Sequence, residues 1–282
     1  MTANSLTLDM DLPSTPVREG YALFASAIAE LRNPTLRIDG DFALRARLTL
    51  PTGELTLAPQ LQGLAVQGLG TEQWAQARSL CDQGLPKWAR LAKPSAQSLL
   101  ARAVIAAEDQ RYFEHAGYDL TEITLALRGN QRGLECLGPV TPDARATRGQ
   151  HAVAAACQAV GHRRERSPVR KLRELLYAVE MEQTLGKARI LGLYLDVAPW
   201  GGQLCGARAA AYRYFGKRAD RLSASEAAWL AAMLHNPSME ARRWAATGQI
   251  NHERAQWVAR GMRLGGASAP RRPTAKMVAA HG

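Results

Sequence analysis

No stretch of about 18 apolar residues occurs in this 282-residue chain, so it offers no transmembrane helix. Its start, Met1-Thr-Ala-Asn-Ser-Leu6, has neither a basic leader nor an apolar segment behind it, and does not read as a signal peptide. Cysteine is scarce. Cys81, Cys136, Cys157 and Cys205 are scattered with no Cys-x-x-Cys pair, which argues against a zinc site and for isolated buried thiols. Only an oxidising compartment would leave room for a disulfide. Six Trp, seven Tyr and four Phe form no basic-aromatic recognition motif, so nucleic acid is not an expected partner. Negative charge is also short: 25 Asp and Glu stand against 36 Lys and Arg, a net charge of +11. That balance favours anionic partners such as lipid headgroups or a pyrophosphate-bearing substrate.

What is present divides into four stretches. Residues 1–35 are expected to be a mobile polar segment, with a short amphipathic helix over Tyr21–Leu31. Residues 36–70 alternate apolar and polar in Leu36–Asp39, Phe42–Leu50, Glu54–Leu57 and Leu64–Val66. Breaks at Asp39-Gly40-Asp41 and Pro51-Thr-Gly53 make this a small meander of strands. Residues 71–265 read as helical. Pro94-Ser95 can open one helix, another begins near Val169, and Ser223-Ala-Ser-Glu226 is a capping box ahead of an alanine-rich helix that ends at Asn236-Pro237. A further helix covers Glu253–Met262, and a basic tail rich in Pro and Gly fills 266–282. The chain is therefore mainly α behind a small β module.

Chemistry concentrates in two blocks. Ala101-Arg-Ala-Val-Ile-Ala-Ala-Glu108-Asp109 closes an apolar helix on an acidic pair, followed by Phe113, His115 and Gly117. Small apolar residues before Glu108 would carry its carboxylate into a partly dry wall, and loss of water raises a carboxylate's pKa. Such a group, aimed at a cleft, suits general-base work on a sugar hydroxyl. The second block runs Arg170-Lys-Leu-Arg-Glu174-Leu-Leu-Tyr-Ala-Val-Glu-Met-Glu182, then Lys187–Asp196, a glycine-rich turn at 201–206, and Ala209–Lys217.

Taken in this order, from about Leu85 to Met262, the blocks resemble the peptidoglycan glycosyltransferases. These are the lipid II polymerases found alone or at the head of bifunctional penicillin-binding proteins. The resemblance implies a lysozyme-like helical fold and β-1,4 bond formation from a lipid-pyrophosphate donor at the periplasmic face of a bacterial inner membrane. It implies Glu108 as the base and Glu174 as the second catalytic glutamate, near the pyrophosphate and a divalent ion such as Mg²⁺ or Mn²⁺ if one is used. Arg166, Arg170, Lys171 and Arg173 would supply positive charge to the phosphates. Asp109, Phe113, His115 and Gly117 match the first family motif, with His115 locking the loop that aims Glu108. Lys187, Ile190, Leu191, Tyr194 and Leu195 match the packing half of a later motif. Implied partners are lipid II, the growing glycan strand, the membrane surface and other cell-wall synthesis proteins.

The chain also departs from that pattern. Where the family carries Gly-Gly-Ser-Thr-Ile-Thr-Gln-Gln and then a lysine, residues 148–158 read Arg-Gly-Gln-His-Ala-Val-Ala-Ala-Ala-Cys-Gln. Hydroxyls, glutamines and lysine are gone, with His151 the one polar stand-in. Gly192 and Asp196 replace a glutamate and an asparagine, and 129–147 is a lengthened loop. The alternative reading is a catalytically impaired pseudoenzyme that still binds lipid II or the cell wall. A glycan hydrolase is disfavoured, because hydrolysis has no pyrophosphate for the cations near Glu174 to hold.

Overall fold

Alternating aliphatic and polar residues build the N-terminal sheet of the computed structural model, which describes residues 5–76, 81, 84–90, 95–121, 124 and 168–264. Strands β1 (Leu6–Pro16), β2 (Arg37–Leu50) and β3 (Glu54–Gln67) are antiparallel in the order β1-β2-β3. Leu8 stands opposite Leu48 and Leu48 opposite Leu55; Met10 stands opposite Ala46 and Ala46 opposite Leu57. Opposed residues share a face, so one face is aliphatic and the other carries Asp9, Asp11, Arg45, Arg47 and Thr56. On that polar face Arg47 Nε donates to Asp9 Oδ1 at 2.6 Å.

Three N-terminal expectations change. Leu6–Pro16, expected to be mobile, is an edge strand, because Leu6, Leu8, Met10 and Leu12 alternate in phase with β2. Asp39-Gly40-Asp41 does not break the strand; it is a bulge within β2, where the register to β3 shifts. Gly40 has φ +106°, and a Cβ there would lie 2.7 Å from Gln62 O, so only glycine lets β3 approach. The helix expected at Tyr21–Leu31 is instead α1 (Val17–Ala22), followed by turns and a 3-10 turn at Ala29–Arg32.

Beyond a 3-10 turn at Thr71–Gln76, the described residues are mainly helical: α2 (Lys87–Arg90), α3 (Leu99–Glu108), α4 (Pro168–Thr184), α5 (Gly186–Val197), α6 (Ala207–Phe215), α7 (Ala224–Met233), α8 (Pro237–Thr247) and α9 (His252–Leu264). Helix α3 starts later than Pro94-Ser95, because Ser98 Oγ accepts from Ala101 N at 3.1 Å and caps it. The capping box of α7 forms as expected: Glu226 N donates to Ser223 Oγ, and Ser223 N to Glu226 Oε2. Asn236-Pro237 does more than end α7. Asn236 caps α8 and Pro237 occupies its first turn.

Among the described residues two large hydrophobic cores result, beside a small cluster of Leu85, Ala89 and Ala209. In the larger, α3 packs against α7 and α9, with Leu100, Val104, Leu230, Met233, Val258 and Trp200 buried. Small side chains set the spacing: a Cβ at Gly261 of α9 would lie 3.0 Å from Ala106 Cβ of α3. The smaller core joins the base of the sheet to α4 through Tyr21, Ile28, Ile38, Val66, Leu176 and Val179. The thiol expectation is corrected at two positions, since Cys81 and Cys205 form a disulfide across 124 residues. Cys136 and Cys157 lie outside the described residues.

Candidate active site

Helix α3 delivers Glu108 as its last residue, and the side chain is only 9% exposed. Around it stand a phenol and a guanidinium. Burial first, and the charge of Glu108 second, push the Tyr194 phenol well above its ordinary pKa. Arg254 Nη2 lies 4.0 Å from Glu108 Oε1 and donates to Ala107 O at 3.4 Å, tying α9 to the end of α3.

The segment after Glu108 is held by a polar network. Asp109 Oδ2 lies 2.7 Å from His115 Nε2, and Lys187 Nζ lies 3.5 Å from His115 Nδ1. An ammonium can only donate, so Nδ1 accepts and Nε2 carries the proton given to Asp109. Lys187 also pairs with Glu182 and sits 4.4 Å above the Tyr112 ring, whose hydroxyl donates to Lys187 O at 2.8 Å. Phe113 is 54% exposed, edge-on to Tyr112. The segment ends at Gly117, φ +87°, where a Cβ would come 2.8 Å from Ala178 O and 3.0 Å from Glu182 Cγ. A glycine is needed there to let the segment rest on α4.

That contact identifies the working face of α4. Residues four apart on a helix share a stripe, so Glu174, Ala178 and Glu182 line up towards the segment that follows Glu108. Glu174 is buried, and Lys171 Nζ donates to its Oε2 at 3.0 Å. A second stripe, Leu172, Leu175, Leu176 and Val179, enters the core shared with the sheet. A third faces the connecting segments of the β module. Arg173 pairs with Glu30, and Tyr177 Oη donates to Glu30 Oε1 at 3.1 Å. The Tyr177 ring stacks on Trp74 at 6.1 Å, and Thr71 and Thr184 hydroxyls meet at 2.8 Å. Glu180 accepts from Gly68 N and Leu69 N at 3.0 Å. Burial pushes its carboxyl up despite those bonds.

The residues expected from sequence are thus distributed unevenly. Glu108 ends α3 beside Tyr194 and Arg254, Asp109 and His115 pair in the segment whose Gly117 rests on α4, Lys171 and Glu174 pair on α4 itself, and Phe113 is exposed. Arg173 is turned to the β module by Glu30. Arg166, the Arg170 side chain and the whole 148–158 stretch lie outside the described residues. Asp196, a departure from the family pattern, forms a buried pair with Arg208 at 3.2 Å, and Arg208 also donates to Arg90 O. Among the described residues no three His, Cys, Asp or Glu side chains gather as a metal site, and an ammonium occupies Glu174 Oε2.

Sequence reasoning missed Arg254, Glu182 and Glu30, and gave Lys187 and Tyr194 only packing roles. Nothing in the spacing marks Arg254 or Glu30, because each reaches its partner across more than 100 residues.

The Transglycosylase family model matches residues 86–263. Among similar proteins named biosynthetic peptidoglycan transglycosylase, that of Chromohalobacter salexigens is 37% identical over 169 residues, 59% of this chain and 66% of its own. That of Pectobacterium carotovorum is 39% identical over 172 residues, 60% and 65%. That of Thiobacillus denitrificans is 39% identical over 139 residues, 49% and 56%. The chain therefore spans somewhat less than two thirds of the length of these relatives. With the helical architecture, the glutamate-bearing stripe and a matched segment covering most of the chain, this protein belongs to the Transglycosylase family.

Proposed function

We propose that the chain is a peptidoglycan glycosyltransferase that polymerises lipid II. The observation that carries this reading is the stripe of α4 on which Glu174, paired with Lys171, stands in line with the residues that receive the segment after Glu108. Glu108 takes the proton of the acceptor sugar 4-hydroxyl as that oxygen bonds to the anomeric carbon of the donor. The bond from that carbon to the pyrophosphate breaks, and the lipid pyrophosphate leaves carrying the negative charge. Lys171, with Arg166 and Arg170, meets the growing charge, and Glu174 orients Lys171. Arg173, paired with Glu30, keeps α4 in place. His115 and Lys187 hold Asp109, which fixes the turn that follows the base. The Cys81–Cys205 disulfide supports an oxidising location, in keeping with the periplasmic face of an inner membrane.

Labelled lipid II polymerisation tests the reading, wild type beside Glu108→Gln. The wild type should form polymer in detergent or vesicles, and the variant should lose about 10²–10⁴-fold of the rate. No polymer from the wild type overturns it. The eroded 148–158 stretch favours a second reading, a non-catalytic binder. Measurable lipid II affinity without turnover would establish that instead.

A further inference from the structure

Among the described residues, five of the eleven exposed large hydrophobic side chains lie on one face of one sheet: Leu6 (56% exposed), Leu8, Met10 (66%), Leu12 and Leu50. Leu44, Ala46, Leu48, Leu55, Leu57 and Pro59 stand between or beside them on the same face. All charged residues of the three strands, among them Asp9, Asp11, Arg45, Arg47 and Glu54, project from the opposite face. At its base the aliphatic face continues through Phe42, Leu61 and Leu64 into the core with α4. Towards the hairpin tip nothing in the chain's described residues covers it. We infer that this distal aliphatic face is a membrane-docking surface that seats in the acyl boundary of a lipid bilayer.

Three observations select hydrocarbon over other occupants. A protein partner is normally read through a polar rim, and beyond Thr15 and Phe42 at its base this face presents neither charge nor side-chain hydrogen-bonding group. Strand addition at the edges is obstructed by Pro59 on β3 and by Asp9, Asp11 and Pro13 on β1. A second copy stacked face to face would cover too little. Three strands about 4.8 Å apart and about seven residues long give a footprint of roughly 330 Å², so a stacked pair would bury roughly 700 Å². A stable specific interface needs about 1,200 Å². Hydrocarbon makes no such demand, and a contiguous aliphatic patch of a few hundred Å² suits it.

Docking would also set the site. The covered end of the same face carries Leu172, Leu175, Leu176 and Val179 of α4, the neighbours of Lys171 and Glu174. A sheet seated in the acyl boundary would hold that helix beside the headgroup layer, where a lipid pyrophosphate lies; this step rests on the glycosyltransferase reading. The surface itself does not.

The test is flotation of the full chain with phosphatidylcholine vesicles at about 1 M salt, where a screening length of about 3 Å removes the pull of its net charge. The wild type should float. Leu8→Gln with Met10→Gln should lower the bound fraction at least about tenfold, while Thr7→Gln with Thr56→Gln on the polar face should leave it unchanged. These positions are exposed, so circular dichroism should show all three proteins equally folded. Absence of wild-type flotation, or equal flotation by both variants, overturns the inference. So does a wild-type dimer by light scattering that the Leu8 and Met10 substitutions dissociate, which would assign the face to a second copy. Polymer formation in detergent without flotation sinks this surface alone, and flotation without polymer sinks the catalytic reading alone.

Discussion

Helices α3 and α4 each deliver one of the two candidate catalytic glutamates, and they are held in opposite ways. Helix α3 is sunk in a single core. Seven of its ten residues are buried, Ser98 caps its start, and its position depends on α7 and α9. Helix α4 belongs to two bodies at once: one stripe faces the segment after Glu108, and two are gripped by the β module and its connections. A residue in α3 can be placed by the helical domain alone. Glu174 needs the sheet as well, which makes the β module part of the site's architecture rather than an appendage.

Substitutions can break or sharpen that contrast. The largest effect on rate belongs to Glu108→Gln, which should remove about 10²–10⁴-fold of polymerisation and leave thermal unfolding nearly unchanged. Leu100→Ala in α3 and Leu176→Ala in α4, both essentially unexposed, should each cost about 2–5 kcal/mol by denaturant unfolding. They should differ in hydrogen exchange. Leu176→Ala should speed exchange throughout β2 and β3, and Leu100→Ala should not. If the sheet stays protected in Leu176→Ala, the shared-core account is wrong. Replacing Cys81 and Cys205 by Ala should cost about 2–4 kcal/mol, confined to the helical domain, because both cysteines lie outside the sheet.

The smallest effect is a pH dependence at Glu180. Its carboxyl is pushed above the ordinary 4.5 chiefly by burial, so the folded state holds its proton to higher pH than the unfolded chain does. The folded state therefore binds more protons between the two values, and stability from this group falls as pH rises from about 4.5 through the raised value. Glu180→Gln keeps an acceptor for Gly68 N and Leu69 N and should flatten that fall in melting temperature. An unaltered slope would mean that the carboxylate is already well compensated in the junction.

Much of the fold was legible beforehand for local reasons. The period-two pattern of Phe42–Leu50 and the capping box at Ser223 are short-range signals that need no tertiary partner. The first strand was missed although Leu6, Leu8, Met10 and Leu12 alternate with polar residues, because the two prolines of Leu6–Pro16 read as loop and pairing with β2 completes the strand. The bulge at Gly40 looks like a turn in sequence, since glycine between two aspartates serves both. In the site, Glu108 and Asp109 stood out as an acidic pair closing an apolar helix, and His115 and Glu174 through the resemblance to the family. Arg173 stood out through the same resemblance, and its pairing with Glu30, 143 residues away, has no signal in a linear pattern.

The chain's own order of residues determined that a buried carboxylate ends α3, that a cationic helix carries a second one, and that an aliphatic-faced sheet precedes both. Those are consequences of period, capping and composition, which act within a few residues. Only the tertiary structure decided which side of α4 meets the segment after Glu108, that Cys81 reaches Cys205, and that the sheet grips α4. Each of these depends on contacts between groups far apart along the chain, and such contacts are selected by packing the whole molecule at once.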